Sequence, residues 1–275
     1  FERLKILREI VDNKLSMNFD FEVEQFLKKG DECLKKNNKN EALEFYLSAK
    51  EINKDKNFHC IIEEKIKHCK AKRIKFSWDI HYKCNFRCPY CWFYKEWASM
   101  KKRNIYLSPD EWMVHWRRIY DKYGEVKIEI VGGEPSIYPG FIELIEKLSG
   151  IHLVKITTNL SGDVEHFVKE ISPERVNLDL NYHMFFIDLE TVIKKAQILN
   201  NAGFKSGICF LAYPPQMKQI DRLSRIFKDA GIGFALAAFW GEHEGKKYPE
   251  SYTQEDKEMM RPYLGDVDRL SYHLN

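Results

Sequence analysis

The segment HYKCNFRCPYCW, residues 81–92, decides how the rest of this chain is organised. Its cysteines, Cys84, Cys88 and Cys91, have the spacing C-x3-C-x2-C, so one short loop can direct three thiolates at one centre. An iron-sulfur cube takes four ligands, and three cysteines would leave one iron open to a ligand that is not protein. The alternatives are a zinc site or unliganded thiols. Structural zinc sites prefer two close pairs of ligands, and no second pair follows here.

Around this segment the sequence alternates short apolar runs with amphipathic helices, a pattern typical of βα units and a parallel sheet. The predicted helices include one that opens with the capping box Ser108-Pro-Asp-Glu111, and others over about 140–148, 163–170, 188–201 and 216–230. We therefore predict an α/β fold, a partial (β/α)6 TIM-like barrel whose first strand leads directly into the cysteine loop. The six predicted strands are residues 74–82, 126–131, 152–158, 175–182, 206–213 and 233–240.

Residues 1–73 have helical spacing of apolar residues and are predicted to form a small all-helical region. Small residues fall at Gly30, Ala42 and Ala49, with Tyr46 between the last two, and this spacing resembles one tetratricopeptide unit. Such repeats normally stack on neighbours. A single unit is therefore either a docking surface for a peptide or protein, or a helical hairpin that packs on the next domain.

A second motif, Val-Gly132-Gly133-Glu134-Pro, follows the second predicted strand. Together with the cysteine motif, in which Tyr90 precedes the third cysteine, it resembles the signatures of the radical S-adenosylmethionine (SAM) superfamily. Glycines at a strand end allow close approach of the backbone to a ligand. The resemblance covers about residues 74–240, and two motifs in the expected order, each at a strand end, are more specific than either alone.

The resemblance implies a [4Fe-4S] cluster on Cys84, Cys88 and Cys91, with SAM on the open iron. It also implies roles for residues at the carboxyl ends of the strands. Gly132, Gly133 and Glu134 would hold the amino group of SAM, Tyr90 would lie by the adenine, Asn181 would hold the ribose, Thr158 and Asn159 would line the pocket, and His183 is a weak candidate for a catalytic role.

Composition excludes several classes of function. The 44 basic and 41 acidic residues of the 275-residue chain give a net charge of +3, too balanced to predict a nucleic-acid or membrane-surface partner. No apolar run is long enough to span a membrane, and charges interrupt the first ten residues where a signal peptide would be apolar. Seven cysteines without paired spacing favour a reducing compartment. We expect a cytoplasmic protein.

The expected activity is that of a radical SAM enzyme: reductive cleavage of SAM to a 5'-deoxyadenosyl radical that abstracts hydrogen from a substrate. The electron would come from a reductant protein such as flavodoxin or ferredoxin. The helical region at 1–73 suggests a peptide or protein substrate, whereas the core at 74–241 alone would equally suit a sugar or other small metabolite, and residues 242–275 form an extension. The alternative from another class is a non-catalytic iron-sulfur scaffold.

Overall fold

The computed structural model describes residues 21–36, 38–53, 56–70, 74–91, 93 and 96–263. The chain divides into two compact units, residues 1–73 and residues 74–275. The last part of the predicted extension, 264–275, and the first 20 residues of the helical region lie outside the described residues.

The described residues of the first unit form three helices. They are α1 (residues 21–35), α2 (Lys39–Ile52) and α3 (Lys56–Lys70). Asn38 caps α2, because its side chain accepts a hydrogen bond from the Glu41 N–H. The core of the unit is centred on Tyr46, which is fully buried and donates from its hydroxyl to Asp31 at 2.6 Å. The described residues of this region are thus mostly helical.

The close contact between α1 and α2 depends on a glycine. A Cβ atom at Gly30 would lie 2.3 Å from Cε1 of Tyr46, so any larger residue would push the ring out of the core. Ala42 and Ala49, on the same face of α2 as Tyr46, are also fully buried. The small residues that resemble a tetratricopeptide unit therefore make helix–helix contacts, whereas Leu47 and Ile61 expose 41% and 45% of their surface. Membership of that repeat family stays a prediction.

The second unit is built on a six-stranded sheet in the order β1-β2-β3-β4-β5-β6, and every neighbouring pair is parallel. This confirms the predicted partial barrel. The strands are β1 (Lys75–His81), β2 (Lys127–Gly132), β3 (Leu153–Thr158), β4 (Val176–Asn181), β5 (Ser206–Ala212) and β6 (Gly233–Ala238).

Helices connect the strands and cover one face of the sheet. They are α4 (Trp97–Met100), α5 (Pro109–Tyr123), α6 (Phe141–Ser149), α7 (Val164–Glu170), α8 (Leu189–Asn201) and α9 (Ile220–Asp229). The predicted capping box at Ser108 is present and opens α5, and Asp163 and Asp188 cap α7 and α8. Helix α9 begins four residues later than predicted, because a 3-10 helix with Pro at its start occupies Pro214–Gln219.

The sheet has two different faces. Alternate residues of the strands, among them Ile128, Ile156 and Phe210, are at most 1% exposed and pack against the helices. The residues between them are partly exposed on the other face. After β6 the chain forms a hairpin that was not predicted, β7 (Gly241–His243) and β8 (Lys246–Tyr248), and then helix α10 (Gln254–Met260), which Thr253 caps.

Within the part of the chain that the structure describes, no helix has the length and apolar character needed to cross a membrane.

Candidate active site

A cavity of about 250 Å³ opens at the carboxyl edge of the sheet. Because parallel strands all end at this edge, the loops that follow β1, β3, β4 and β5 meet there. Of the predicted site residues besides the cysteines, Tyr90, Asn159, Asn181 and His183 line the cavity. The full set of lining residues is Cys84, Phe86, Cys88, Tyr90, Cys91, Asn159, Asn181, Tyr182, His183, Cys209, Leu211 and Ala237.

The three cysteines of the C-x3-C-x2-C motif share this cavity. The loop tightens between two of them, since the Cys91 N–H donates to the Cys88 carbonyl at 3.0 Å. Burial raises the pKa of all three thiols, and that of Cys88 reaches about 12. Thiolates here therefore need a positive partner, and metal coordination supplies one.

The donor set fits an iron-sulfur cluster better than a single ion. Among the described residues, no three His, Cys, Asp or Glu side chains are close enough together to hold one metal ion. The three thiols all line the one cavity. A [4Fe-4S] cluster would bind each cysteine through a different iron, so its ligands would be spread around the cluster.

The Gly132-Gly133-Glu134 turn lies against the cysteine loop, backbone to backbone. The Gly133 N–H donates to the His81 carbonyl at 2.7 Å, and the Glu134 N–H donates to the Lys83 carbonyl at 3.0 Å. A Cβ atom at Gly133 would lie 2.0 Å from the Lys83 carbonyl oxygen, so a side chain there cannot be accommodated without moving the loop. The two motifs thus form one structure, and the glycines permit it.

The carboxylate of Glu134 is buried, with only 1% of the residue exposed. Its Oε1 accepts hydrogen bonds from the Thr158 hydroxyl at 2.7 Å and the Ser136 N–H at 3.1 Å, and its Oε2 accepts from the Asn159 N–H at 2.7 Å. Glu134, Thr158 and the two glycines are not among the residues that line the cavity. Glu134 therefore ties the turn after β2 to the turn after β3, and its contact with SAM stays a prediction.

His81 was missed as a site residue. It is 1% exposed at the end of β1, and its Nε2 lies 2.9 Å from the carbonyl oxygen of Glu134, to which it donates. Burial lowers the pKa of this imidazole, which favours its neutral form. His81 lies three residues before the first cysteine, but its position in the sequence does not indicate which face of β1 its side chain occupies.

Tyr90 and His183 form one wall of the cavity. The Tyr90 hydroxyl lies 3.0 Å from His183 Nδ1, the Cys88 Sγ lies 3.5 Å from the same atom, and the two rings stack with centroids 5.8 Å apart. Burial lowers the pKa of His183 to about 4. Tyr213, from the end of β5, packs its ring 5.0 Å from that of Tyr90 and was not predicted as a site residue.

Asn181 and Cys209 also line the cavity. They are paired in register across β4 and β5, and both side chains line the cavity. Burial raises the pKa of Cys209 to about 11. Cys209 is not among the predicted site residues, because an isolated cysteine carries no spacing signal. Its position becomes clear only once β5 is placed beside β4.

Comparison with known proteins agrees with this site. Residues 78–212 match the Radical SAM superfamily. GTP 3',8-cyclase of Saccharophagus degradans is 32% identical over 136 residues, which cover 45% of this chain and 40% of that protein. Molybdenum cofactor biosynthesis protein 1 of Homo sapiens is 34% identical over 80 residues, 28% of this chain and 12% of that protein.

Solved structures share the fold. The crystal structure of Streptococcus suis SuiB superposes with a TM-score of 0.54 at 18% identity, covering 86% of this chain and 60% of SuiB. Native anSMEcpe with bound AdoMet gives a TM-score of 0.54 at 15% identity, covering 68% of this chain and 57% of that one. This chain therefore spans under half of the GTP 3',8-cyclase and about three-fifths of each solved protein.

A parallel partial barrel with three thiols at its carboxyl edge, matched over residues 78–212, defines a domain of the radical SAM superfamily. Residues 78–212 of this chain therefore match the domain that is typical of the radical SAM class of enzymes. The cofactors of that class are a [4Fe-4S] cluster and SAM, and Cys84, Cys88 and Cys91 are the residues of this chain that fit the cluster.

Proposed function

We propose that this enzyme cleaves SAM reductively and uses the resulting radical to abstract hydrogen from a peptide or protein substrate. One observation supports SAM cleavage most directly: the three thiols line one cavity, and the backbone of their loop is hydrogen-bonded to the Gly-Gly-Glu turn. A bound [4Fe-4S] cluster would supply the electron for reductive cleavage of SAM to methionine and a 5'-deoxyadenosyl radical. The protein's own residues bind, orient and shield these cofactors.

The roles of individual residues follow from their positions. Cys84, Cys88 and Cys91 hold the cluster. The backbone of Gly132 and Gly133, on the turn bonded to the cysteine loop, is proposed to bind the amino group of SAM, and Glu134 ties this turn to the end of β3. Tyr90 and Asn181, which both line the cavity, are the groups suited to stack on the adenine and to hydrogen-bond the ribose, respectively.

The first experiment tests the activity. Anaerobically reconstituted and reduced protein is incubated with SAM, and 5'-deoxyadenosine is quantified by mass spectrometry. We expect product from the wild-type chain and none from Cys88→Ala. Cys60→Ala, which removes an exposed thiol of the first unit, is the matched control and should retain activity. A wild-type protein that takes up its cluster but yields no 5'-deoxyadenosine would support a non-catalytic scaffold instead.

Two observations favour a peptide or protein substrate. The helical unit exposes Phe21, Leu47 and Ile61, each with more than 40% of its surface accessible, which suits the side chains of a bound peptide. SuiB, whose fold this chain shares, has been solved bound to its precursor peptide SuiA. The reductant is proposed to be a small redox protein such as flavodoxin or ferredoxin.

A nucleotide is the second candidate, because relatives at 32% and 31% identity are named GTP 3',8-cyclases. A triphosphate is normally held by Lys and Arg side chains. Of the described residues that line the cavity, none is Lys or Arg. The cavity wall therefore favours the peptide over the nucleotide. Product analysis with GTP, and separately with a peptide library, decides between them: a mass change confined to GTP would overturn the peptide assignment.

A further inference from the structure

Asn159, the first residue after β3, is a buried side chain whose hydrogen-bonding groups are almost all engaged. The residue is 4% exposed. Its Nδ2 lies 3.0 Å from Asn85 Oδ1 and 3.9 Å from Cys84 Sγ, and its Oδ1 accepts the Ser161 N–H at 2.9 Å. Its own backbone N–H donates to Glu134. The side chain thus connects the Glu134 network to the cysteine loop.

These contacts fix which amide atom faces the sulfur. An asparagine amide has one accepting oxygen and one NH2 group with two donor hydrogens. Because Oδ1 is held by the Ser161 N–H, Nδ2 is the atom that faces the cysteine loop. One of its hydrogens serves Asn85 Oδ1, and the other is directed to Cys84 Sγ. Rotation of the amide would break all three contacts.

Cys84 differs in this respect from the other two cysteines. Its Sγ also accepts from the Phe86 N–H at 3.4 Å, so two N–H donors surround it. Cys91 has a backbone donor from Phe93, and Cys88 is contacted by the Tyr90 and His183 side chains. Among the described contacts of these three thiols, Cys84 is the one with a side-chain amide donor.

We propose that Asn159 is a positioning residue that donates an N–H···S hydrogen bond to the Cys84 thiolate and thereby raises the reduction potential of the cluster. Reduction adds negative charge to the cluster, part of which resides on the ligand sulfurs. An N–H donor stabilises that charge more in the reduced state than in the oxidised state, and hydrogen bonds to the sulfurs are a recognised determinant of cluster potentials. The proposal rests on the proposed ligation of the cluster by Cys84.

The test compares three reconstituted full-length proteins in the absence of SAM. Asn159→Ser removes the amide but leaves a neutral oxygen near the Ser161 N–H, as serine turns allow. Asn85→Ala removes the competing acceptor and keeps the bond to sulfur. An EPR-monitored redox titration should give a more negative midpoint potential for Asn159→Ser than for wild type, with equal iron content, and no such decrease for Asn85→Ala.

A spectroscopic signature separates this role from a merely structural one. With 15N placed only in asparagine side chains, pulsed EPR of the reduced cluster should show a weak 15N coupling in wild type and in Asn85→Ala. The coupling should disappear in Asn159→Ser. If that variant does not bind a cluster, the wild-type and Asn85→Ala spectra still decide the question.

Unchanged midpoint potential in a loaded Asn159→Ser protein, or no asparagine 15N coupling in wild type, would overturn the proposal. Both readouts concern the cluster alone, so neither depends on whether SAM is cleaved. A failure of 5'-deoxyadenosine formation, in contrast, would count against the proposed function and leave the hydrogen bond intact.

Discussion

At the scale of single residues, the carboxylate of Glu134 holds neighbouring parts of the site together. Three donors converge on its buried carboxylate, one from its own turn and two from the end of β3. Hydrogen bonds to a charged acceptor each contribute about 1.5–3 kcal/mol. The charge of Glu134 is therefore used mainly to hold two turns together beside the cysteine loop.

Replacement of Glu134 by Gln keeps the shape but presents an NH2 group where an N–H or hydroxyl donor needs an acceptor. We expect the turn to loosen and SAM affinity to fall by about tenfold or more, equivalent to about 1.4 kcal/mol. Equilibrium binding of SAM to the reconstituted protein measures this. Glu143→Gln, on the exposed surface of α6, is the control. Equal SAM affinity of Glu134→Gln and wild type would remove Glu134 from the site.

A second residue, His152, makes folding sensitive to pH. It is fully buried; its Nδ1 accepts the Val126 N–H at 3.2 Å, and its Nε2 donates to the Trp116 carbonyl at 3.2 Å. Protonation of Nδ1 would place two hydrogens face to face. Burial lowers the pKa of this imidazole, with Glu125 opposing the shift and Arg175 adding to it.

Because its pKa is lower in the folded state, His152 binds protons more readily in the unfolded chain. The free energy of unfolding should therefore decrease as the pH falls below about 6.5, the ordinary histidine value, and be unaffected by this group above it. His152→Gln can make both hydrogen bonds without titrating, so its stability should depend less on pH in that range. Denaturant titrations between about pH 7.5 and about pH 5, in steps of roughly half a pH unit, measure this. Equal slopes for the two proteins would contradict it.

At the scale of structural elements, the end of β1 and the turn after β2 function as one piece. The register of β1 with β2 shifts between Asp79 and His81, next to Gly132, and the backbone contacts continue from there to Lys83. His81 adds a side-chain bond to the Glu134 carbonyl from inside the sheet. The position of the first cysteine is thus set by contacts with the turn after β2.

Gly133→Ala tests this arrangement, because its Cβ would lie 2.0 Å from the Lys83 carbonyl oxygen. We expect destabilisation of roughly 1–3 kcal/mol, as for other overpacked sites, together with loss of bound iron. Gly124→Ala is the control: its φ of +68° is strained for alanine, but no atom lies near the added Cβ. Iron content after reconstitution distinguishes the two variants, because only Gly133→Ala should lose bound iron. A Gly133→Ala protein that retains its iron would show that the loop is positioned independently of the turn.

At the scale of the whole molecule, two hydrophobic cores correspond to the two units. One contains Tyr46 and its neighbours in the helical unit, and the other runs along the six-stranded sheet. Each unit thus has a core of its own, and a domain with its own core can in principle fold alone. The helical unit is proposed to bind the substrate, and the barrel is proposed to carry out the chemistry.

Removal of residues 1–72 should separate these roles. We expect the remaining barrel to take up its cluster and to form 5'-deoxyadenosine, but to turn over a peptide substrate at least about tenfold more slowly, since a bound peptide loses its docking surface. Mass spectrometry of nucleoside and peptide products measures both. Undiminished peptide turnover by the shortened chain would refute the docking role. Gly30→Val in the longer chain, which displaces Tyr46, is a second variant. It too should form 5'-deoxyadenosine but turn over the peptide more slowly.

Much of the fold could be predicted from the sequence, since the six strands of the parallel sheet coincide with apolar runs and helices α5, α7 and α8 begin at Ser or Asp caps. The cysteine loop and the Gly-Gly-Glu turn were recognisable because each requires particular residues within a few positions. His81, Tyr213 and Cys209 could not be found in this way. Their roles depend on which face of a strand they occupy and which strand lies beside it, and both are properties of the assembled sheet.

We expect three protein thiolates to hold the cluster and to leave one iron open for SAM. The most direct measurement is EPR of the anaerobically reconstituted and reduced protein with and without SAM, alongside an iron determination. We expect about four irons per chain, as the cluster type requires. The bound iron should be lost in Cys84→Ala, Cys88→Ala and Cys91→Ala. The EPR spectrum of the wild-type cluster should change when SAM is added. A fully loaded cluster whose spectrum is identical with and without SAM would contradict it.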